Sequence, residues 1–297
     1  MAIVCATHFT ASSLDAVQVA TALAARTRQT LHLVAVMPAG APLDVDRASR
    51  AALQAEAVAA AGQNVEVKTT VLHGRLEQQL AIYCREVSAQ LLVLGDTSRA
   101  MSPLFATPVD LLSADVSVPM LVVKSRLPFL PWAHGDGPLR VLLAIDHSWN
   151  ASITRVWLQQ LSAFGPLDVL ATHIWSPAEE GKRLHTDKPT DEMIAVWAEK
   201  LQRATEAGLR GLPGNVTLKV QLEIGRGHIG RLLIDLASRD QRDVLVMGTH
   251  EHGLLSRLTS VTHEVLAEGA QSVALIPQVT VKPGTRTSKA TASEARH

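Results

Sequence analysis

Aromatic side chains are scarce in this chain: four Phe, one Tyr and five Trp make up 3% of 297 residues. A surface that stacks nucleic-acid bases needs more aromatic faces than that. An excess of positive charge is also missing, with 28 Lys plus Arg against 28 Asp plus Glu. Affinity for nucleic acid rests on clustered cations, so no nucleic-acid partner is expected. Cysteine is limited to Cys5 and Cys84, far apart and with no CxxC. That excludes a disulfide framework and a paired-cysteine redox site, and both thiols read as buried in a reducing compartment. No apolar run approaches the roughly 20 residues of a membrane helix. The start, Met1-Ala2-Ile3-Val4-Cys5-Ala6-Thr7, lacks a basic segment followed by a long apolar stretch. The chain therefore reads as soluble and cytoplasmic, with no membrane partner. Also missing are a G-x-S-x-G elbow, a G-x-x-x-x-G-K-[ST] loop and an H-E-x-x-H pair.

What is present is enough apolar residue, 47%, to bury sizeable cores, and a length that predicts about two domains. A repeat at half-chain scale agrees. Apolar runs fall at Ala2–Ala6, Leu31–Met37, Val65–Leu72, Gln90–Leu94 and Met120–Val123. A second set falls at Val141–Ile145, Leu167–Trp175, Val216–Ile224, Asp243–Met247 and Val273–Ile276. These runs are rich in Val, Leu and Ile and do not alternate with polar residues, as in strands buried on both faces of a parallel sheet. The stretches between them have helical period. Thr190 reads as an N-cap for a stripe of Met193, Trp197, Leu201 and Ala204. Leu53, Ala57, Ala60 and Ala61 form a similar stripe that Gly62 can end. The expected fold is α/β: two tandem Rossmann-like domains, each a five-stranded parallel sheet. Their expected bounds are 1–126 and 138–280. Residues 127–137, rich in Pro and Gly, form the linker, with Phe129, Leu130 and Trp132 able to pack against a domain. Residues 281–297 have almost no apolar content and read as a disordered tail.

In an open parallel sheet a ligand sits outside the carboxyl ends of the strands, at the switch point. In the second half those ends carry Asp146-His147-Ser148-Trp149, His173-Ile174-Trp175, Gly225-Arg226-Gly227-His228 and Gly248-Thr249-His250-Glu251-His252-Gly253. The first half offers Thr7-His8-Phe9-Thr10, without a carboxylate, and Gly95-Asp96-Thr97-Ser98. The second half is the better candidate. The Gly225–Gly230 segment lacks G-x-G-x-x-G spacing and reads as a tight turn and helix start.

Two segments, VLLAIDHS from Val141 to Ser148 and the stretch from Asp243 to Pro277, resemble the universal stress protein family. The resemblance covers nearly all the chain as two copies, more strongly the second. It implies copies that pair through their last strands, here with each other as an intramolecular pseudo-dimer that can itself form a homodimer. It also implies an adenine-nucleotide site with the signature Gly, two residues, Gly, nine residues, Gly, then Ser or Thr. Glycines there let backbone N–H groups approach phosphate. The second half keeps Gly248 and Thr262 but has Glu251 and Val261 at the other two positions. The first half keeps Gly95 and has Ser98, Pro108 and Val109, and Pro108 has no N–H to offer.

A carboxylate ~4 Å from a phosphate charge costs about 1 kcal/mol in water and several times that near a protein surface. The usual mode of ATP binding is thus disfavoured in both halves. The resemblance places Asp146 at the adenosine end, with Trp149 as a pocket wall. The expected ligand set, for ATP, ADP or AMP in the second half, is Asp146, Ser148, Ile174, Gly225, Gly248, Thr249, Gly253 and Thr262. No residue is assigned to catalysis. The implied function is a stress-response binding or adaptor protein with an unknown protein partner. An ATP-binding protein with slow hydrolysis is one alternative. Another is a metal-dependent enzyme using His250, His252 and His263, since imidazole with carboxylate can hold a divalent ion. The plainer view of those histidines is polar loop residues and a surface helix.

Overall fold

The computed structural model describes residues 2–96, 116–145, 151–186, 189–225, 228–249 and 261–277. The first half runs β1 (Ala2–Ala6), α1 (Ala11–Thr27), β2 (Thr30–Met37), α2 (Leu43–Ala61), β3 (Val67–His73), α3 (Leu76–Glu86), β4 (Ala89–Gly95) and β5 (Met120–Val123). A short helix α4 (Phe129–His134) follows. The second half runs β6 (Leu139–Ile145), α5 (Ala151–Ser162), β7 (Leu167–Trp175), α6 (Pro177–Arg183) and α7 (Asp191–Gly208). It continues with β8 (Val216–Ile224), α8 (Ile229–Arg239), β9 (Val244–Thr249), α9 (Val261–Glu268) and β10 (Ser272–Pro277). The bare Pro- and Gly-rich segment of the sequence thus contains a helix.

The strands form one sheet in the order β3-β2-β1-β4-β5-β10-β9-β6-β7-β8. Pairing is parallel within each half. Among the described residues, only at the centre, where β5 meets β10, is it antiparallel, with Leu121 opposite Ala274. Each half is a doubly wound α/β unit. Along β1, Ile3 and Cys5 enter one core layer and Val4 the other. Both faces are apolar, which is why no polar alternation shows in the sequence. Cys5 and Cys84 are buried free thiols, and burial pushes Cys84 up to about 12.

Helix faces follow the apolar stripes with local shifts. Thr190 caps α7 by accepting the Met193 N–H at 3.3 Å. Trp197 is buried, but Ala204 is exposed and Thr205 takes the inward place. One turn on from Leu201 lies i+4, so the stripe drifts to Thr205. In α2, Leu53, Ala57 and Ala60 are buried while Ala61 is exposed. Gly62 ends α2 in right-handed conformation, and the left-handed residue is Asn64.

Helix α4 bolts the halves together. Phe129 and Trp132 are among the most deeply buried side chains, and α4 packs on α1. Trp132 Nε1 donates to the Pro166 carbonyl at 2.8 Å. Its ring lies beside Phe164, with centroids 6.3 Å apart. Gly165 leaves the space the indole fills, since an added Cβ would run into it. Just before α4, the Arg126 guanidinium donates to Asp15 Oδ1 of α1 at 2.6 Å. A wedge touching both halves predicts a large cost on truncation. Trp132→Ala is expected to lose about 3–5 kcal/mol. Gly165→Ala should also destabilise, because a rigid ring cannot swing aside. Urea unfolding measures both, and a midpoint matching wild type would show that the wedge is dispensable.

Candidate functional site

In the second half the connections diverge from β6, which lies between β7 and β9. The switch-point crevice therefore lies outside the carboxyl ends of β6 and β9, flanked by β7. Ile145 ends β6, and Gly248 and Thr249 end β9. Their neighbours across the ladder are His173, opposite Ile145, and Ile276, opposite Gly248. Ile174 is half-buried near the end of β7 and packs against the layer formed with α8 and α9. Gly225 follows β8 and donates its N–H to the Trp175 carbonyl at 2.8 Å. A Cβ on Gly225 would come within 2.8 Å of Ile174 Cγ2, so the glycine keeps that side chain in place.

Thr262 is half-buried in the first turn of α9, next to His263. Successive helical residues point about 100° apart, so these two do not share a face. Glu264, also in this first turn, turns toward the start of α8. A Cβ added to Gly230 would lie 2.9 Å from Glu264 Cβ, and the missing side chain makes room for the carboxylate. Asp146, Ser148, His250, Glu251, His252 and Gly253 lie outside the described residues, as do Ser98, Pro108 and Val109. Among the described residues no group of three or more His, Cys, Asp or Glu is placed to hold a metal ion. His173, read above as the end of a strand, is buried within β7, paired in register with Leu222 as well as Ile145. His228 is exposed at the N-cap position of α8.

The first half is arranged differently at the same level. Gly95 ends β4 directly beneath the first turn of α1. An added Cβ would lie 2.6 Å from the Ser12 carbonyl oxygen and 2.7 Å from the Ser13 nitrogen. This glycine therefore serves helix–strand packing. Thr10 and Ser13 cap α1 reciprocally, with Ser13 Oγ accepting the Thr10 N–H at 2.9 Å. Buried Thr7 places its Oγ1 at 3.2 Å from both Ser13 Oγ and Glu56 Oε1. Glu56, on α2, has its Oε2 buried without a hydrogen-bond partner among the described residues. Burial pushes the Glu56 carboxyl above its usual range, and the Thr7 hydrogen bond works the other way. Sequence reasoning missed Glu56, because nothing local distinguishes it from the other charges of an amphipathic helix.

A family model described as the universal stress protein family matches residues 1–124 and 139–277. The chain therefore belongs to the universal stress protein family, with two such domains in tandem. Among solved structures it is similar to a universal stress protein from Archaeoglobus fulgidus DSM 4304, at 12% identity and TM-score 0.65, covering 93% of this chain and 98% of that one. It is also similar to a putative universal stress protein from Pseudomonas aeruginosa UCBPP-PA14, at 17% identity and TM-score 0.59, covering 93% and 92%. At these identities the likeness is one of fold. No curated protein matches the chain. No helix among the described residues is long and apolar enough to cross a membrane.

Glu56 supplies a prediction of pH dependence. Its folded value is raised, so the folded chain holds the proton more tightly than the unfolded chain. Stability then falls as pH rises from the ordinary carboxylate range through the raised value, and levels off above it. Glu56→Gln should remove this component of the slope. Urea midpoints at about pH 4 and about pH 8 measure it, and an unchanged slope in the variant would assign the effect to other groups.

Proposed function

We propose that the chain is a stress-response binding protein whose second domain holds an altered adenine-nucleotide pocket, and whose first domain has lost its own. The two domains are read as 1–126 and 138–280, joined by 127–137 and paired as an intramolecular pseudo-dimer. The observation that carries this reading is the position of Gly248 and Thr262. One ends β9 beside the switch point, and the other sits in the first turn of the helix that follows. A helix start that carries a hydroxyl, following a strand with a glycine next to its last residue, is suited to an anionic group. In this reading Asp146 and Ile174 hold the adenosine end, Ser148 supports it, and Gly225 keeps Ile174 in position. Gly248, Thr249, Gly253 and Thr262 face the phosphates. Glu251 and Val261 oppose the outer phosphates, the first by charge and the second by keeping the backbone away. The ligand favoured is one with fewer phosphates. In the first domain the Ser12–Ser13 backbone against Gly95, and the Glu56 carboxylate beside Thr7, support the loss.

Calorimetric titration with ATP, ADP and AMP tests the reading. One site per chain is expected, and no heat at millimolar ligand would end it. Glu251→Gly should raise ATP affinity about fivefold or more, the equivalent of about 1 kcal/mol or above, with a smaller gain for AMP. Equal gains for both ligands, or none, would show that charge at residue 251 is not what limits the outer phosphates.

A further inference from the structure

Among the described residues, one contact between the halves joins a cation of the first to a helix end of the second. Lys124 follows β5, and its Nζ donates to the Leu266 carbonyl at 2.6 Å and the Gly269 carbonyl at 2.5 Å. Its backbone N–H donates to Ser272 Oγ at 3.1 Å. A cation from the first half thus caps the C-terminal end of α9, where carbonyls lack helical partners and the dipole is negative.

The register at the seam shows what the reciprocal contact would need. Met120 faces Leu275, Leu121 faces Ala274 and Val122 faces Val273. A two-fold axis through the Leu121–Ala274 pair places Met120 on Val273 and Val122 on Leu275. The same superposition carries Gly95 onto Gly248, Lys124 onto Pro277 and Pro119 onto Ser272. Pro277 has neither an ammonium nor an N–H, and Pro119 has no hydroxyl. The first half holds the second half's last helix in this way, and the residues that superpose on Lys124 and Ser272 lack the groups to return the contact.

We propose that Lys124 is a positioning residue for the pocket of the second domain: the first domain orders, across the seam, the helix whose opposite end carries Thr262. The inference rests on the nucleotide reading above for its consequence, though not for its geometry. Helix α9 has eight residues. Two turns of helix, roughly 12 Å long, are marginal alone and take their order from packing and caps. The packing comes from buried Val265 and Leu266, and from Arg231, which donates to Glu268 at 2.8 Å. Lys124 supplies the end cap. Because so short a helix forms or frays as a unit, a cap at Leu266 also sets the order of the turn at Thr262.

The test uses the full chain and two measurements. Lys124→Met keeps the aliphatic stem and removes the charge and the donors. Amide exchange at Val265–Glu268, without nucleotide, should speed up about threefold to tenfold, and the first turn is read at Val265 and Leu266, whose N–H groups bond back to its carbonyls. AMP affinity should fall by about threefold or more, and Lys124→Arg should restore most of both. Unchanged exchange in the first turn overturns the proposal, as does faster exchange confined to the last turn with AMP affinity intact. If the wild-type chain binds no nucleotide, the pocket reading fails, and first-turn exchange alone then decides for or against the role of Lys124. Lys124→Gln keeps a donor without the charge. It carries the same expectations at smaller size should the Met variant not fold.

Discussion

The antiparallel pairing of β5 with β10 is the constraint on which the architecture depends. Each half ends in a strand that would otherwise present open backbone donors and acceptors to water or to another chain. Pairing the two removes both edges and makes one ten-stranded sheet with a core layer on each face. Yet β5 has only four residues, and the paired register covers three positions. So short a ladder needs help. It comes from α4, with Phe129 and Trp132 buried against both halves, and from Lys124 at the end of β5. The outer edges that remain, β3 and β8, carry Lys68, Lys219 and Glu223. Charge on an edge strand discourages further strand addition.

With the seam in place, the two halves are free to diverge at the carboxyl ends of their strands. The parallel glycines Gly95 and Gly248 show how. Gly95 is the last residue of the fourth strand of its half and Gly248 the last but one of its own, and a missing side chain there leaves room for close approach. At Gly95 what approaches is the backbone of Ser12 and Ser13. Around it, hydroxyls of Thr7, Thr10 and Ser13 satisfy the start of α1, and Glu56 brings a carboxylate that burial keeps from ionising easily. A site so occupied by its own side chains is poorly suited to an anion. In the reading proposed above, the first half contributes instead through packing and through its grip on α9.

Much of the fold was legible because burial on both faces leaves a plain signature: short apolar runs without alternation, each closed by Gly, Pro or a polar turn. The runs at Ala2–Ala6 and Leu167–Trp175 coincide with β1 and β7. Helix faces were legible to within one turn, as the exchange of Ala204 for Thr205 illustrates. His173 stands near the end of β7, where the apolar run placed it, but its burial opposite Ile145 left no trace in the local sequence. The contacts of Glu56 with Thr7, and of Lys124 with Leu266, join residues far apart in sequence and leave no local pattern. The second had one distant trace: once the halves are superposed at their last strands, Lys and Ser on one side face Pro and Pro on the other. What was missing was the register that makes the superposition meaningful.

In the reading proposed above, two groups from different parts of the chain bear on a bound anion in opposite ways. A cation at the C-terminal end stabilises the helix by about 0.3–1 kcal/mol, up to about 2 when partly buried. It does so without occupying the positive N-terminal end, where Thr262 sits. Glu264, in the same first turn, lies against Gly230 of α8. Against the cation, in the same reading, stands Glu251: a carboxylate within a few ångströms of a phosphate repels it by about 1 kcal/mol in water and more near a surface, which is at least comparable in size. In the reading proposed above, these terms do not cancel evenly along a nucleotide. The helix dipole acts on whichever phosphate lies nearest the first turn, while the carboxylate penalises those that extend past it. In that reading the site keeps an ordered helix start but narrows what it holds, and the selection falls on the number of phosphates more than on the base.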